Sequence, residues 1–129
     1  ATQQWAQLPQ MKNAQRTKKN ATVELQRSVL ERLATVFKLL SEPTRLAILH
    51  ELRNRSQSVG ELVATLGTSQ ANVSKQLRIL FDHSILGRKQ SGNQVFYEIL
   101  EPGVFGLCAE VCRLLNRRAE NNGHIQYDI

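Results

Sequence analysis

The stretch from residue 58 to residue 80 constrains this chain more than any other. Ser58-Val59-Gly60-Glu61 has the pattern of a capping box, in which the serine hydroxyl accepts from the amide three residues on and the glutamate reaches back. A helix of about two turns follows, with Leu62, Val63 and Leu66 on its inner face. Gly67 stands where a left-handed residue would end that helix, since glycine lacks the Cβ that makes the conformation costly. Thr68 or Ser69 can then cap a second helix, in which Val73, Leu77 and Leu80 fall at i, i+4 and i+7. Two short helices around a glycine turn make a helix-turn-helix.

The flanking sequence completes a fold. Upstream, Leu25, Val29, Leu33, Val36/Phe37 and Leu40 recur at three- and four-residue steps, with Leu30 and Leu39 widening the stripe. They predict a long amphipathic helix over residues 23–40 with a broad buried face. Ser41-Glu42-Pro43 interrupts it, and Pro43 suits the first turn of another helix that ends near Arg55. Downstream of His83 the period changes. Residues 85–90 and 94–99 flank Ser91-Gly92-Asn93, and Val95, Tyr97 and Ile99 alternate with polar neighbours except at Phe96, which predicts a β-hairpin. Glu101-Pro102 opens a last helix carrying Val104, Leu107, Cys108, Val111, Cys112, Leu114 and Leu115. The predicted class is mainly α with a small β-hairpin, a winged helix-turn-helix. Residues 1–22 read as a basic N-terminal arm, flexible or helical, residues 23–116 as the winged-helix domain, and residues 117–129 as a polar tail.

Charge supplies the first functional restriction. The chain carries a formal net charge of +6 in 129 residues, which makes nucleic acid the first partner to consider. That charge is unevenly placed. Residues 1–35 hold +4, including Lys12, Arg16, Lys18 and Lys19, whereas residues 68–99 hold +2. A solvated basic tail accounts for the former as well as phosphate contact does. No apolar run is long enough to span a membrane, and residues 1–20 lack the apolar segment of a secretory signal. Two cysteines are too few for a disulfide framework, which points to a reducing, cytoplasmic compartment. No paired carboxylates, Ser-His-Asp set, phosphate loop or open metal triad appears, so an enzyme is not expected.

Recognition of DNA by such a fold needs a helix fixed by a buried stripe, with hydrogen-bonding side chains on its outer face. Removing Val73, Leu77 and Leu80 from residues 68–80 leaves Ser69, Gln70, Asn72, Ser74, Lys75, Gln76 and Arg78. Gln and Asn can pair bidentately with adenine, while Lys and Ser can meet phosphates or base edges. No acidic residue lies between Glu61 and Asp82 to repel phosphate. The hairpin adds Arg88, Lys89 and Gln90 on one strand and Gln94 on the other.

These motifs carry a family resemblance. Phe37-Lys38-Leu39-Leu40-Ser41-Glu42-Pro43-Thr44-Arg45-Leu46-Ala47-Ile48-Leu49, Ser58-Val59-Gly60-Glu61-Leu62, Ser69-Gln70-Ala71-Asn72-Val73-Ser74-Lys75-Gln76-Leu77 and Gly92-Asn93-Gln94-Val95-Phe96-Tyr97 together resemble the ArsR/SmtB family of bacterial repressors over about residues 23–116. The resemblance implies a homodimer paired through its first and last helices and bound to double-stranded DNA at a partly palindromic operator. It places Gln70, Ser74 and Lys75 at DNA-facing positions, with Arg88 and Lys89 on the wing.

Inducer sites of that family are mostly absent. The third helix reads Val59-Gly60-Glu61-Leu62-Val63, without the cysteine pair of arsenic or cadmium sensors. Positions matching the zinc site of the last helix hold Glu101, Gly103, Leu114 and Arg117, of which one offers an oxygen ligand. His50 stands where sulfide-responsive relatives have cysteine. Cys108 and Cys112 remain, at i and i+4 on one helical face. They are read either as small apolar residues packed in an interface or as a sensor for a thiol oxidant or a thiolate-bound metal or metalloid ion. The alternatives to an inducible repressor are a repressor without its own inducer site and a winged-helix protein-interaction module.

Overall fold

The computed structural model describes residues 13–120 and 126–129, so the expectations for residues 1–12 and for 121–125 lie outside the described residues. Its elements run α1 (Asn13–Leu39), α2 (Pro43–Leu52), β1 (Gln57–Ser58), α3 (Val59–Leu66), α4 (Gln70–Asp82), β2 (Leu86–Ser91), β3 (Gln94–Ile99) and α5 (Gly103–Glu120). The chain divides into two compact units, Ala1–Lys38 and Leu39–Ile129.

In the first unit, helical backbone begins at Asn13, ten residues before the amphipathic pattern starts. The apolar stripe predicted to be buried divides: Leu39 at its end is buried, while four of its described residues are not. Val29, Leu30, Leu33 and Phe37 are each about half exposed. Periodicity identified the apolar face correctly and said nothing about what lies against it.

The second unit is the winged helix-turn-helix. Its core is built from Leu39, Ile48, Leu49, Leu52, Leu62, Val73, Leu77, Leu80, Ile85, Leu86 and Val104. Side-chain caps close the starts of α2, α3 and α4. Glu42 caps α2 by accepting from the Arg45 amide at 3.0 Å, and Pro43 occupies the first turn. Ser58 caps α3 by accepting from the Glu61 amide at 3.2 Å. The α2 helix ends at Leu52, short of the predicted Arg55. The hairpin pairs Leu86 with Ile99 through Ser91 with Gln94, and Gly92 turns it at φ 63°.

A third strand was not anticipated. Gln57 and Ser58 pair antiparallel with Tyr97 and Phe96, giving the sheet order β1-β3-β2. Two residues are too few to show a period, but both are buried, and the Gln57 side-chain amide donates to the Glu51 carbonyl at 2.8 Å. This short strand ties the end of the wing to the start of the helix-turn-helix. The last helix also runs to Glu120, beyond the expected boundary at residue 116. Beyond it, Tyr127 is held against α5: its amide donates to Asn116 Oδ1 and its carbonyl accepts from Asn116 Nδ2 at 2.9 Å.

Candidate nucleic-acid interface

Construction of the recognition helix begins in the turn. Gly67 adopts φ 68° and closes α3 by donating its amide to the Val63 carbonyl. Ser69 then caps α4, its hydroxyl accepting from the Asn72 amide at 3.1 Å. Val73, Leu77 and Leu80 are fully buried and fix the rotation of α4 about its axis. Given that rotation, Ser69, Gln70, Ser74, Lys75 and Arg78 are all exposed. They form one polar surface running from the first turn to the third, as helical spacing requires. Arg78 pairs loosely with Asp82 at 3.7 Å, at the far end of the helix from Gln70.

Two residues of the predicted outer face are placed differently. Gln76 is buried at 6% exposure and does not belong to that surface. It lies three residues after Val73 and four before Leu80, inside the core stripe. Asn72 is half-buried, and its side-chain amide is occupied at both ends. Its Nδ2 donates to Thr68 Oγ1 and its Oδ1 accepts from Gln76 Nε2, both at 3.1 Å. Gln76 Oε1 in turn accepts from Arg45 Nη1 at 2.8 Å, and Arg45 Nε donates to the Leu39 carbonyl at 2.7 Å. A continuous polar relay therefore runs from the end of α1 through α2 to the helix-turn-helix turn. It satisfies buried groups that would otherwise each cost about 1–3 kcal/mol. Arg45 and Gln76 were not picked out as a pair by sequence, because they stand 31 positions apart.

On the wing, Arg88, Lys89 and Gln94 are exposed. Arg88 lies over the Phe81 ring, 4.2 Å from its centroid, so the last turn of α4 positions the wing's arginine. Lys89 reaches Glu98 on the neighbouring strand at 3.4 Å. The tip is small and polar, with Gln90 Nε2 donating to the Gly92 carbonyl at 3.4 Å. Lys75, at the centre of the helix surface, forms none of the ion pairs found among the described residues.

The two cysteines are free and half-buried on α5. Burial, reinforced by the neighbouring Cys112 and opposed by Arg53, pushes the Cys108 thiol above its ordinary value, so it is held protonated at neutral pH. Among the described residues no group of three or more His, Cys, Asp and Glu side chains is arranged to hold a metal. A pair of thiols does not by itself fit a metal that takes three or four ligands. Also among the described residues, no helix is long and apolar enough to cross a membrane.

Comparison with known proteins agrees with this construction. Residues 40–86 match a family model described as a helix-turn-helix domain. The chain is 35% identical over 85 residues to the uncharacterized HTH-type transcriptional regulator Rv0081 of Mycobacterium tuberculosis, spanning 65% of this chain and 75% of the relative. The crystal structure of Rv0081 superposes with a TM-score of 0.66 at 31% identity, covering 74% of this chain and 97% of that one. A transcriptional repressor SmtB homolog of Synechocystis is 31% identical over 81 residues, which is 63% of this chain and 61% of the relative. The crystal structure of the AntR antimony-specific transcriptional repressor matches with a TM-score of 0.60 at 34% identity, covering 71% and 83% of the two chains. The capped helix-turn-helix, the three-stranded wing and these likenesses together place the chain in the ArsR/SmtB family of winged helix-turn-helix transcriptional repressors.

Proposed function

We propose that this chain represses transcription by binding a partly palindromic DNA operator as a homodimer in the cytoplasm. Gln70, Ser74 and Lys75 enter the major groove, Ser69 and Arg78 meet the flanking phosphates, and Arg88, Lys89 and Gln94 reach along the backbone. Asn72 acts in this reading as a positioning residue, since its amide is spent on Thr68 and Gln76. One observation carries the reading. The exposed polar surface of α4 is rigidly oriented by three fully buried side chains and the Arg45–Gln76 bond, and its one acidic neighbour lies at its distal end.

Dimerisation is supported by two uncovered apolar faces. Val29, Leu30, Leu33 and Phe37 on α1, and Leu107, Val111 and Leu114 on α5, expose between 38% and 57% of their surface. Such side chains at helical spacing call for a partner surface, and a second copy presents matching ones. A symmetric dimer would read two half-sites on one face of the duplex. Residues 1–22 act as a basic arm, residues 23–116 as the DNA-binding and dimerising domain, and residues 117–129 as its tail. A metal or metalloid at Cys108 and Cys112 would need further ligands from that second copy.

Fluorescence anisotropy with duplex from the protein's own promoter tests the reading. Binding should weaken steeply with salt, and Lys75→Ala should reduce the salt slope by about one. Gln70→Ala should relax base preference while leaving that slope unchanged. Affinity no better than for random duplex would overturn the proposal. A protein-interaction module would instead tolerate joint replacement of Gln70, Ser74 and Lys75 by alanine.

A further inference from the structure

Arg53 differs from the other arginines of the second unit that bear on a pocket or a carboxylate. Arg55, Arg78 and Arg113 each pair with a glutamate or aspartate. Arg53 pairs with no side-chain carboxylate among the described residues. Its guanidinium instead lies 4.8 Å from the centroid of the Phe105 ring, and its Nη1 donates to the Ile129 carbonyl at 3.5 Å. That is the long limit of a hydrogen bond, so the guanidinium is held only weakly there.

The same side chain lines an open crevice of about 590 Å³, together with Ile99, Pro102, Phe105, Gly106 and Ala109. The volume falls in the range of sites for small molecules, roughly 300–1,000 Å³. Its surface is mixed, with apolar side chains from Ile99, Pro102, Phe105 and Ala109, and the one ionic side chain lining it is a guanidinium whose planar fork suits a carboxylate. Gly106 adds no side chain to the lining, and a Cβ there would meet nothing within 4 Å. Phe105, Gly106 and Ala109 face away from the uncovered stripe of Leu107, Val111 and Leu114, because helical spacing puts the two sets on roughly opposite sides of α5. The crevice is therefore separate from the face assigned to dimerisation, and from the surface of α4.

We infer that this crevice is a binding site for a small organic acid, with the carboxylate on Arg53 and a flat or branched apolar body against Ile99, Pro102 and Phe105. Such a ligand competes with the weakly held Ile129 oxygen for the guanidinium and offers it a bidentate acceptor. Segment 126–129, anchored at Tyr127 by Asn116, then stands beside the bound acid as a neighbour that senses its arrival.

Benzoate is the probe and benzamide its neutral control, each titrated into the full chain and followed by amide chemical shifts. Benzoate should move the Gly106, Ala109 and Ile129 amides, and benzamide should bind at least about tenfold more weakly. Arg53→Gln should weaken benzoate by about tenfold or more. Gly106→Leu should do the same by adding a side chain to the lining, and it keeps the proposal testable if Arg53→Gln does not fold, because leucine favours a helix. Equal binding of benzamide, insensitivity to both substitutions, shifts confined to Leu107, Val111 and Leu114, or no shifts in the tens of millimolar would each overturn it. No DNA is present in this titration, so its outcome is independent of the repressor reading.

Discussion

Replacing Arg45 by methionine removes the hub of the relay that orients α4. Arg45 donates to the Leu39 carbonyl at 2.7 Å and to Gln76 Oε1 at 2.8 Å, and Gln76 is only 6% exposed. Hydrogen bonds to charged groups contribute about 1.5–3 kcal/mol each, and a buried acceptor left alone costs about 1–3 kcal/mol. Methionine keeps most of the aliphatic stem in place and offsets part of that loss. The net destabilisation for Arg45→Met is therefore about 3 kcal/mol, or roughly 10 °C in Tm for a chain of this size. Gln76→Leu should cost about 2 kcal/mol by a different route, since it strands the guanidinium against an apolar neighbour.

The double variant carries the discriminating result. With both partners apolar, neither leaves a buried orphan at the Arg45–Gln76 contact, and the added leucine packs among Val73, Leu77 and Leu80. The Leu39 carbonyl and Asn72 Oδ1 still lose a partner, so the combined cost should be about 1–2 kcal/mol, below the roughly 5 kcal/mol expected from adding the singles. Urea unfolding at one fixed protein concentration measures all four corners, the concentration being held because assembly would shift apparent stability. Additivity within about 0.5 kcal/mol would refute the coupling. So would an Arg45→Met variant less than about 1 kcal/mol below the parent.

Three further outcomes follow from local geometry. Gly67→Ala should cost about 1 kcal/mol through backbone strain alone, because φ is 68° and a Cβ would meet nothing within 4 Å; equal stability by urea unfolding would contradict this. At Glu42, burial raises the carboxyl, but the amides of Thr44 and Arg45 outweigh it and hold the carboxyl below its ordinary value of 4.5. Its contribution is present above about pH 4.5 and lost as pH falls through the lowered folded value, so Glu42→Ala should flatten the acid limb of the stability curve and cost about 1 kcal/mol at neutral pH. In a Cys112→Ser background, burial still raises Cys108, so the midpoint of its alkylation by iodoacetamide should lie above the ordinary 9.0; a midpoint at or below it would show an exposed thiol.

What the sequence made legible was local. Ser58, Gly67 and Ser69 each act on backbone groups within a few residues, and each does in the structure what its chemistry requires. The same is true of Pro43 and of Gly92 at the hairpin tip. The Glu61 carboxylate, expected to reach back to the cap, instead pairs with Arg55 at 2.7 Å. Gln76 was misread because periodicity assigns a polar residue to the outer face. Its position between Val73 and Leu80 in the i, i+3, i+7 stripe was the available signal that it points inward. What makes a buried amide tolerable there is Arg45, and no local pattern reports a bond across 31 residues. The two-residue strand Gln57–Ser58 escaped for the related reason that its partners, Tyr97 and Phe96, lie in the distant hairpin.

The apolar faces of α1 and α5 show a different limit. Their spacing is sufficient to place Leu33, Phe37, Val111 and Leu114 on coherent stripes, yet these residues stay about half exposed in the single chain. Fully burying an exposed side chain of that size contributes about 1.5–3 kcal/mol, so covering four half-exposed ones on each of two copies supplies about 6–12 kcal/mol, comparable with the roughly 4–15 kcal/mol that association costs. The stripe on α5 alternates around the helix with Val104, which is fully buried, and with Cys108 and Cys112, which are half-buried. A helix that faces its own core on one side and a partner on another places those thiols at the seam between folding and assembly. Val111→Glu tests that arrangement, because a charge on the exposed stripe spares the monomer core while opposing the dimer. Sedimentation should then show a monomer of unchanged helix content, and Cys112 should alkylate faster than in the parent. A dimer that survives the glutamate would move the interface away from α5 altogether.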